Sequence, residues 1–166
     1  MSRRRWTCLT APAERAADGI LLDANLPLWA HHGQFLHHAA AHAWWREAMS
    51  TTPLVAIPWV TVLAFLRIST HPNALARPIS MEQAWDVVTG WLARPNVRVV
   101  VPTERHQEIL GRLLASGRAT GNHTTDAHLA ALAMEWGLEL QSADRDFARY
   151  PGLRWRDPIG SSGSSG

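Results

Sequence analysis

The sequence predicts an α/β fold, a three-layer α/β/α sandwich around a mostly parallel sheet of about five strands. Two observations lead there. Short apolar runs rich in leucine and valine alternate with longer segments of helical periodicity, the pattern of a parallel sheet covered on both faces. The chain of 166 residues is long enough for one domain with a real core and too short for two.

The elements follow in order. Gly19-Ile-Leu-Leu-Asp23 is an apolar run ending in an acid and suits a buried first strand. Leu36 to Met49, alanine-rich with Trp44 and Trp45, reads as a helix. Leu54 to Ile57, bounded by Pro53 and Pro58, is a second strand. Val60 to Ser69 is helical, and His71-Pro72-Asn73 stops it. Ser80 and Gln83 stand at capping-box spacing, which opens a helix over Met81 to Ala93. Val97 to Val101 is a third strand, and Thr103 to Ser116 a helix stopped by Gly117. A last helix runs from about Asp126 to Trp136 with Gly137 behind it. Glu139 to Ser142 forms a fourth strand, and Leu153 to Arg156 a fifth.

The ends differ from this body. Residues 160–166 read GSSGSSG, a flexible linker-like tail. Residues 1–18 carry Arg3, Arg4 and Arg5 and no strong apolar face, so the expectation is a mobile extension ahead of a domain over 19–159. The SRRRW start is followed by Pro12, Glu14, Arg15 and Asp18 rather than an apolar stretch, which argues against an export signal. One cysteine allows no internal disulfide, and the longest apolar run, Leu54 to Leu66, is too short to span a bilayer. A soluble, cytoplasmic protein is expected.

Every basic residue apart from histidine is arginine. Without lysine there is no Walker-type phosphate loop, Schiff-base enzyme, Ser–Lys hydrolase or protein kinase. A sequence pI near 9.5 built on arginine is compatible with a phosphate-bearing partner, although a GC-rich coding sequence explains the same bias.

Ligands of parallel sheets gather beyond the carboxyl ends of the strands. Asp23 ends the first strand there, Asp144 and Asp146 follow the fourth, and Asp126 opens a helix. Each acid also has a local explanation: Asp126 as a helix cap, Asp144 and Asp146 as turn formers. Spacing alone leaves a shared acidic site and separate structural roles both open.

The local wording adds a resemblance. Leu21-Leu22-Asp23-Ala24-Asn25 resembles the first motif of PIN domains, and Thr125-Asp126-Ala127-His128-Leu129-Ala130-Ala131 the family's DAxxAA helix. Ser142-Ala143-Asp144-Arg145-Asp146-Phe147 is similar to its closing turn. Phe65-Leu66-Arg67-Ile68 and Phe147 to Leu153 are similar to a branch of VapC-type toxins. The ordered set, over about residues 19–159, is far more specific than any one motif. The resemblance implies the toxin of a type II toxin–antitoxin system, a metal-dependent endoribonuclease. It implies Mg²⁺ or Mn²⁺ on Asp23 and Asp126, with Asp144 as a further catalytic acid and metal ligand and Asp146 as a fourth ligand. Asn25, Thr125 and Asn122 become candidates for orienting these carboxylates. An RNA substrate, a VapB-like antitoxin and a homodimer are the implied partners.

One departure stands out: the helix from Val60 offers no acid where PIN domains usually place a glutamate. The alternative reading is therefore a catalytically weak PIN-like module that binds RNA or protein. A phosphatase with Asp23 as nucleophile is disfavoured by Asn25 two places on and by the missing lysine.

Other features carry less. Arg67, on the helix expected to face the site, is a candidate for phosphate or for an antitoxin carboxylate, as are Arg105, His106, Arg145 and Arg149. His38 and His42 stand at i,i+4, but neither a HExxH glutamate nor a third ligand accompanies them. Trp85, Trp91 and Trp136 are expected in the core.

Overall fold

The structure is a computed structural model that describes residues 8–9, 18–116 and 121–160. Most of the expected N-terminal extension, the tail after residue 160 and the Gly117 stop lie outside the described residues.

Six strands form one parallel sheet: β1 (Cys8–Leu9), β2 (Gly19–Leu22), β3 (Leu54–Ala56), β4 (Val97–Val100), β5 (Glu139–Gln141) and β6 (Trp155–Arg156). Their order is β1-β4-β3-β2-β5-β6. Every described pairing is parallel, including Ile20 opposite both Val55 and Glu139. The expected fifth strand is β6; β1, at the opposite edge, is an addition within the presumed extension.

The helices are α1 (Asn25–His31), α2 (His38–Thr51), α3 (Trp59–Ser69), α4 (Met81–Leu92), α5 (His106–Ser116) and α6 (Thr124–Trp136). Alternate side chains of each strand enter opposite layers. Leu22, Val55 and Val97 pack with Leu26, Trp45, Phe65, Val88 and Trp91 on the α1–α4 side. Leu21, Ala56 and Leu140 pack with Ile109, Leu113, Leu132, Trp136 and Phe147 on the α5–α6 side. Central β2 is thus buried on both faces, as its unbroken apolar run requires.

Local signals explain most boundaries. The Ser80–Gln83 capping box is complete, with each side chain accepting from the other residue's backbone N–H. Gly137, at φ 67°, closes α6, and the Leu138 N–H reaches back to the Ala133 carbonyl. One helix is added and two readings are revised. α1 was not anticipated, because Pro27 and a fully apolar inner face hide its period; Leu26, Pro27, Leu28 and Ala30 are all buried. Trp85 is 41% exposed on the outer face of α4, whereas Trp91 and Trp136 are buried. Asp126 is the third residue of α6 rather than its cap, a position held by His123.

Candidate acidic site

At its carboxyl end β2 delivers Asp23, whose N–H donates to the Gln141 carbonyl of β5 at 3.1 Å. Three donors converge on its carboxylate. The Ala24 N–H meets Oδ1 at 2.6 Å; Ser142 Oγ and Asn25 Nδ2 meet Oδ2 at 2.7 and 2.9 Å. Asn25 Nδ2 spends its other hydrogen on Ser142 Oγ at 2.9 Å, and Ser142 Oγ also accepts the Asp144 N–H at 3.0 Å. Ser142 is wholly buried. This hub links the end of β2 to the turn after β5, so Asp23 has a fixed orientation.

Burial is the largest influence on Asp23 and raises its pKa above 3.8; the Ser142 and Ala24 hydrogen bonds oppose this, and the charges of Asp126 and Asp144 push the same way as burial. Asp126 is raised as well, first by burial and then by Asp144 and Asp146, against the bond from His123. Asp144 is therefore felt by both deeper acids. It also caps the short 3₁₀ turn over Arg145–Arg149, accepting the Asp146 N–H at 2.8 Å. Asp144 and Asp146 are both exposed, and Asp146 pairs with Arg149 Nη2 at 3.1 Å.

The acids fit a hard divalent cation by their chemistry, since all offer oxygen donors and come from three parts of the fold, the end of β2, the first turn of α6 and the turn after β5. Burial, helped by neighbouring carboxylates, makes ionisation of Asp23 and Asp126 unfavourable, a cost that a bound cation would offset. Among the described residues no three His, Cys, Asp or Glu side chains are drawn together into a tight metal nest.

The remaining candidates divide. Asn25 is part of the hub. Thr125 is exposed in the first turn of α6 and makes no side-chain hydrogen bond with the acids; the side chain of Asn122 lies outside the described residues. Arg67 is exposed in the last turn of α3, beside His71 and Asn73, with no ion pair to any of the acids. α3 offers the site no carboxylate: Thr61 is buried and donates to the Leu22 carbonyl at 2.7 Å, and Phe65 is wholly buried against Trp91. His106 is committed elsewhere. Its Nδ1 lies 2.7 Å from buried Glu135 and its Nε2 2.9 Å from His128, with Thr103 donating twice to the same glutamate. Arg149 serves Asp146, and Arg145 is exposed on the same turn. The His38 and His42 rings lie 5.6 Å apart, and His38 Nδ1 is 2.8 Å from the Trp29 carbonyl.

Two residues of the site were not picked out by sequence reasoning. Ser142 opens the turn of Asp144 and Asp146, and nothing local marks it as the partner of Asp23. His123, three residues before Asp126, carried a usable signal in that spacing: its Nδ1 lies 3.4 Å from Asp126 Oδ2 and 3.9 Å from Asp146 Oδ2.

The comparisons bear on the fold and the family. The PIN domain family model matches residues 20–153. Ribonuclease VapC37 of Mycobacterium tuberculosis is 40% identical over 138 residues, 83% of this chain and 96% of the relative. Ribonuclease VapC33 of the same species is 36% identical over 140 residues, 84% of this chain and 98% of the relative. VapBC2 of Rickettsia felis, solved bound to a promoter DNA fragment, superposes with a TM-score of 0.60 at 15% identity, covering 83% of this chain and 97% of its own. M. tuberculosis VapC20, a sarcin–ricin-loop-cleaving toxin, gives 0.53 at 19%, covering 81% and 98%. At these identities the solved structures speak for the fold, and the closer relatives for the branch. The chain belongs to the PIN-domain family, in its VapC ribonuclease branch.

Proposed function

We propose that this chain is the toxin of a type II toxin–antitoxin pair, an endoribonuclease that hydrolyses RNA phosphodiester bonds with Mg²⁺ or Mn²⁺. One observation carries the reading: Asp23 is fixed by Ser142 and Asn25 at the end of the central strand, within reach of the charges of Asp126 and Asp144. Its relatives' description as ribonucleases supports the activity.

In this reading Asp23, Asp126 and Asp144 hold the cation, and Asp146, paired with Arg149, contributes least. When bound, the metal supplies an activated water and stabilises charge on the phosphate. The chain's own part is orientation. Ser142 and Asn25 keep Oδ2 of Asp23 aimed, and the Ala24 N–H holds Oδ1. Arg145, exposed between Asp144 and Asp146 in the chain, is open to a backbone phosphate.

A VapB-like antitoxin is the proposed partner, supported by the solved VapBC assemblies of like fold, and a homodimer is proposed from the family resemblance alone. No helix among the described residues is long and apolar enough to cross a membrane, consistent with the proposed cytoplasmic location. The test is cleavage of total RNA with Mg²⁺, Mn²⁺ or chelator, with the ends mapped. Activity should vanish with chelator and in Asp23→Ala and Asp126→Ala at unchanged fold. Cleavage that survives in chelator or in both variants refutes the reading. The acid-free α3 favours one rival, a binding module without catalysis; tight RNA binding with no cleavage under any divalent metal would select it.

A further inference from the structure

We propose that His123 is a positioning residue of the acidic site, an internal occupant of Asp126 that an incoming divalent cation displaces. The inference rests on the metal reading above.

His123 takes the cap position of α6, but its side chain makes no cap hydrogen bond. Its Nδ1 turns instead toward acids from two elements, Asp126 Oδ2 at 3.4 Å and Asp146 Oδ2 at 3.9 Å. The backbone behind it is pinned: the buried Tyr150 donates its hydroxyl to the His123 carbonyl at 3.1 Å. The turn is therefore anchored while the ring is held loosely, since both contacts are longer than a good N–H···O bond of about 2.9 Å. Asp146 has a shorter partner in Arg149 at 3.1 Å, whereas Asp126 has only His123 as a side-chain partner among the described residues.

A cation taking Asp126 Oδ2 must compete with that donor. The ring thus offsets part of the repulsion among Asp126, Asp144 and Asp146 in the metal-free protein and gives way when the metal arrives. A purely structural cap would leave metal affinity untouched, and a metal-ligating histidine would strengthen it.

The test is Mn²⁺ binding to the whole chain, followed by the electron paramagnetic resonance of free Mn²⁺, in wild type, His123→Ala and His123→Asn. Asparagine keeps a donor near the reach of Nδ1. His123→Ala should bind Mn²⁺ about 2–10-fold more tightly, the loss of one modest hydrogen bond in competition. His123→Asn should stay near wild type, and unfolding midpoints will show that both variants fold. Unchanged or weaker affinity in His123→Ala overturns the proposal. If wild type binds no Mn²⁺ and Asp126→Ala makes no difference, the metal reading itself has failed, and this inference with it.

Discussion

Replacing Ser142 with alanine removes the hub that fixes Asp23. The hydroxyl gives the carboxylate one of its three donors, at 2.7 Å, and accepts from Asn25 Nδ2 and the Asp144 N–H. A hydrogen bond to a charged group contributes about 1.5–3 kcal/mol, and the Asp144 N–H loses its acceptor as well. The site is fully buried at Ser142, so water cannot simply take the hydroxyl's place. The expected cost is roughly 2–4 kcal/mol, or a fall in Tm on the order of 10 °C for a domain of this size. Urea and thermal unfolding in chelator measure it, with Asp23→Asn and the double variant completing a cycle. Asp23→Asn should be at least as stable as wild type, because it removes a buried charge repelled by Asp126 and Asp144. The coupling between the two sites should exceed about 1 kcal/mol. A loss below about 0.5 kcal/mol for Ser142→Ala, or strict additivity in the double variant, would refute the hub.

Three further outcomes are expected. Stability should fall on acidification just below pH 6.5, because burial lowers the pKa of His31, His32 and His128; the unfolded chain then binds the more protons, and urea midpoints across this range should drop rather than stay level. In metal-free protein Asp23 and Asp126 act with the opposite sign: their raised pKa values mean a penalty present at neutral pH and relieved as pH falls towards 3.8, so the loss of stability on acidification should steepen in the Asp23→Asn, Asp126→Asn double variant. Trp91→Ala should cost about 3–5 kcal/mol in urea unfolding, since the ring fills the core between Phe65 and Trp45 and donates to His31 Nε2.

Much of the architecture was legible because its signals are local. Ser80 and Gln83 announce a helix by spacing, Gly137 ends one by its left-handed conformation, and an apolar run ending in Asp23 identifies a buried strand and its outward end. The acids could be grouped only by topology and resemblance. Their ranking depends on partners that no local pattern displays: Arg149 draws Asp146 away, and Ser142 reaches Asp23 across 119 residues. Thr125 and Arg67 sat in suggestive words, yet helix geometry turns both side chains to the surface. α1 carries no polar rhythm because every one of its positions from Asn25 to His31 is buried or half-buried.

The distance along the chain between Asp23 and its supports has a consequence for biosynthesis. β2 leaves the ribosome well before Ser142, which is made 119 residues after Asp23, and β5 cannot pair with β2 before then. Until that pairing forms, the nascent polypeptide carries a lone carboxylate and no assembled site. The site of an enzyme ordered this way is assembled only once β5 has been made and has paired with β2.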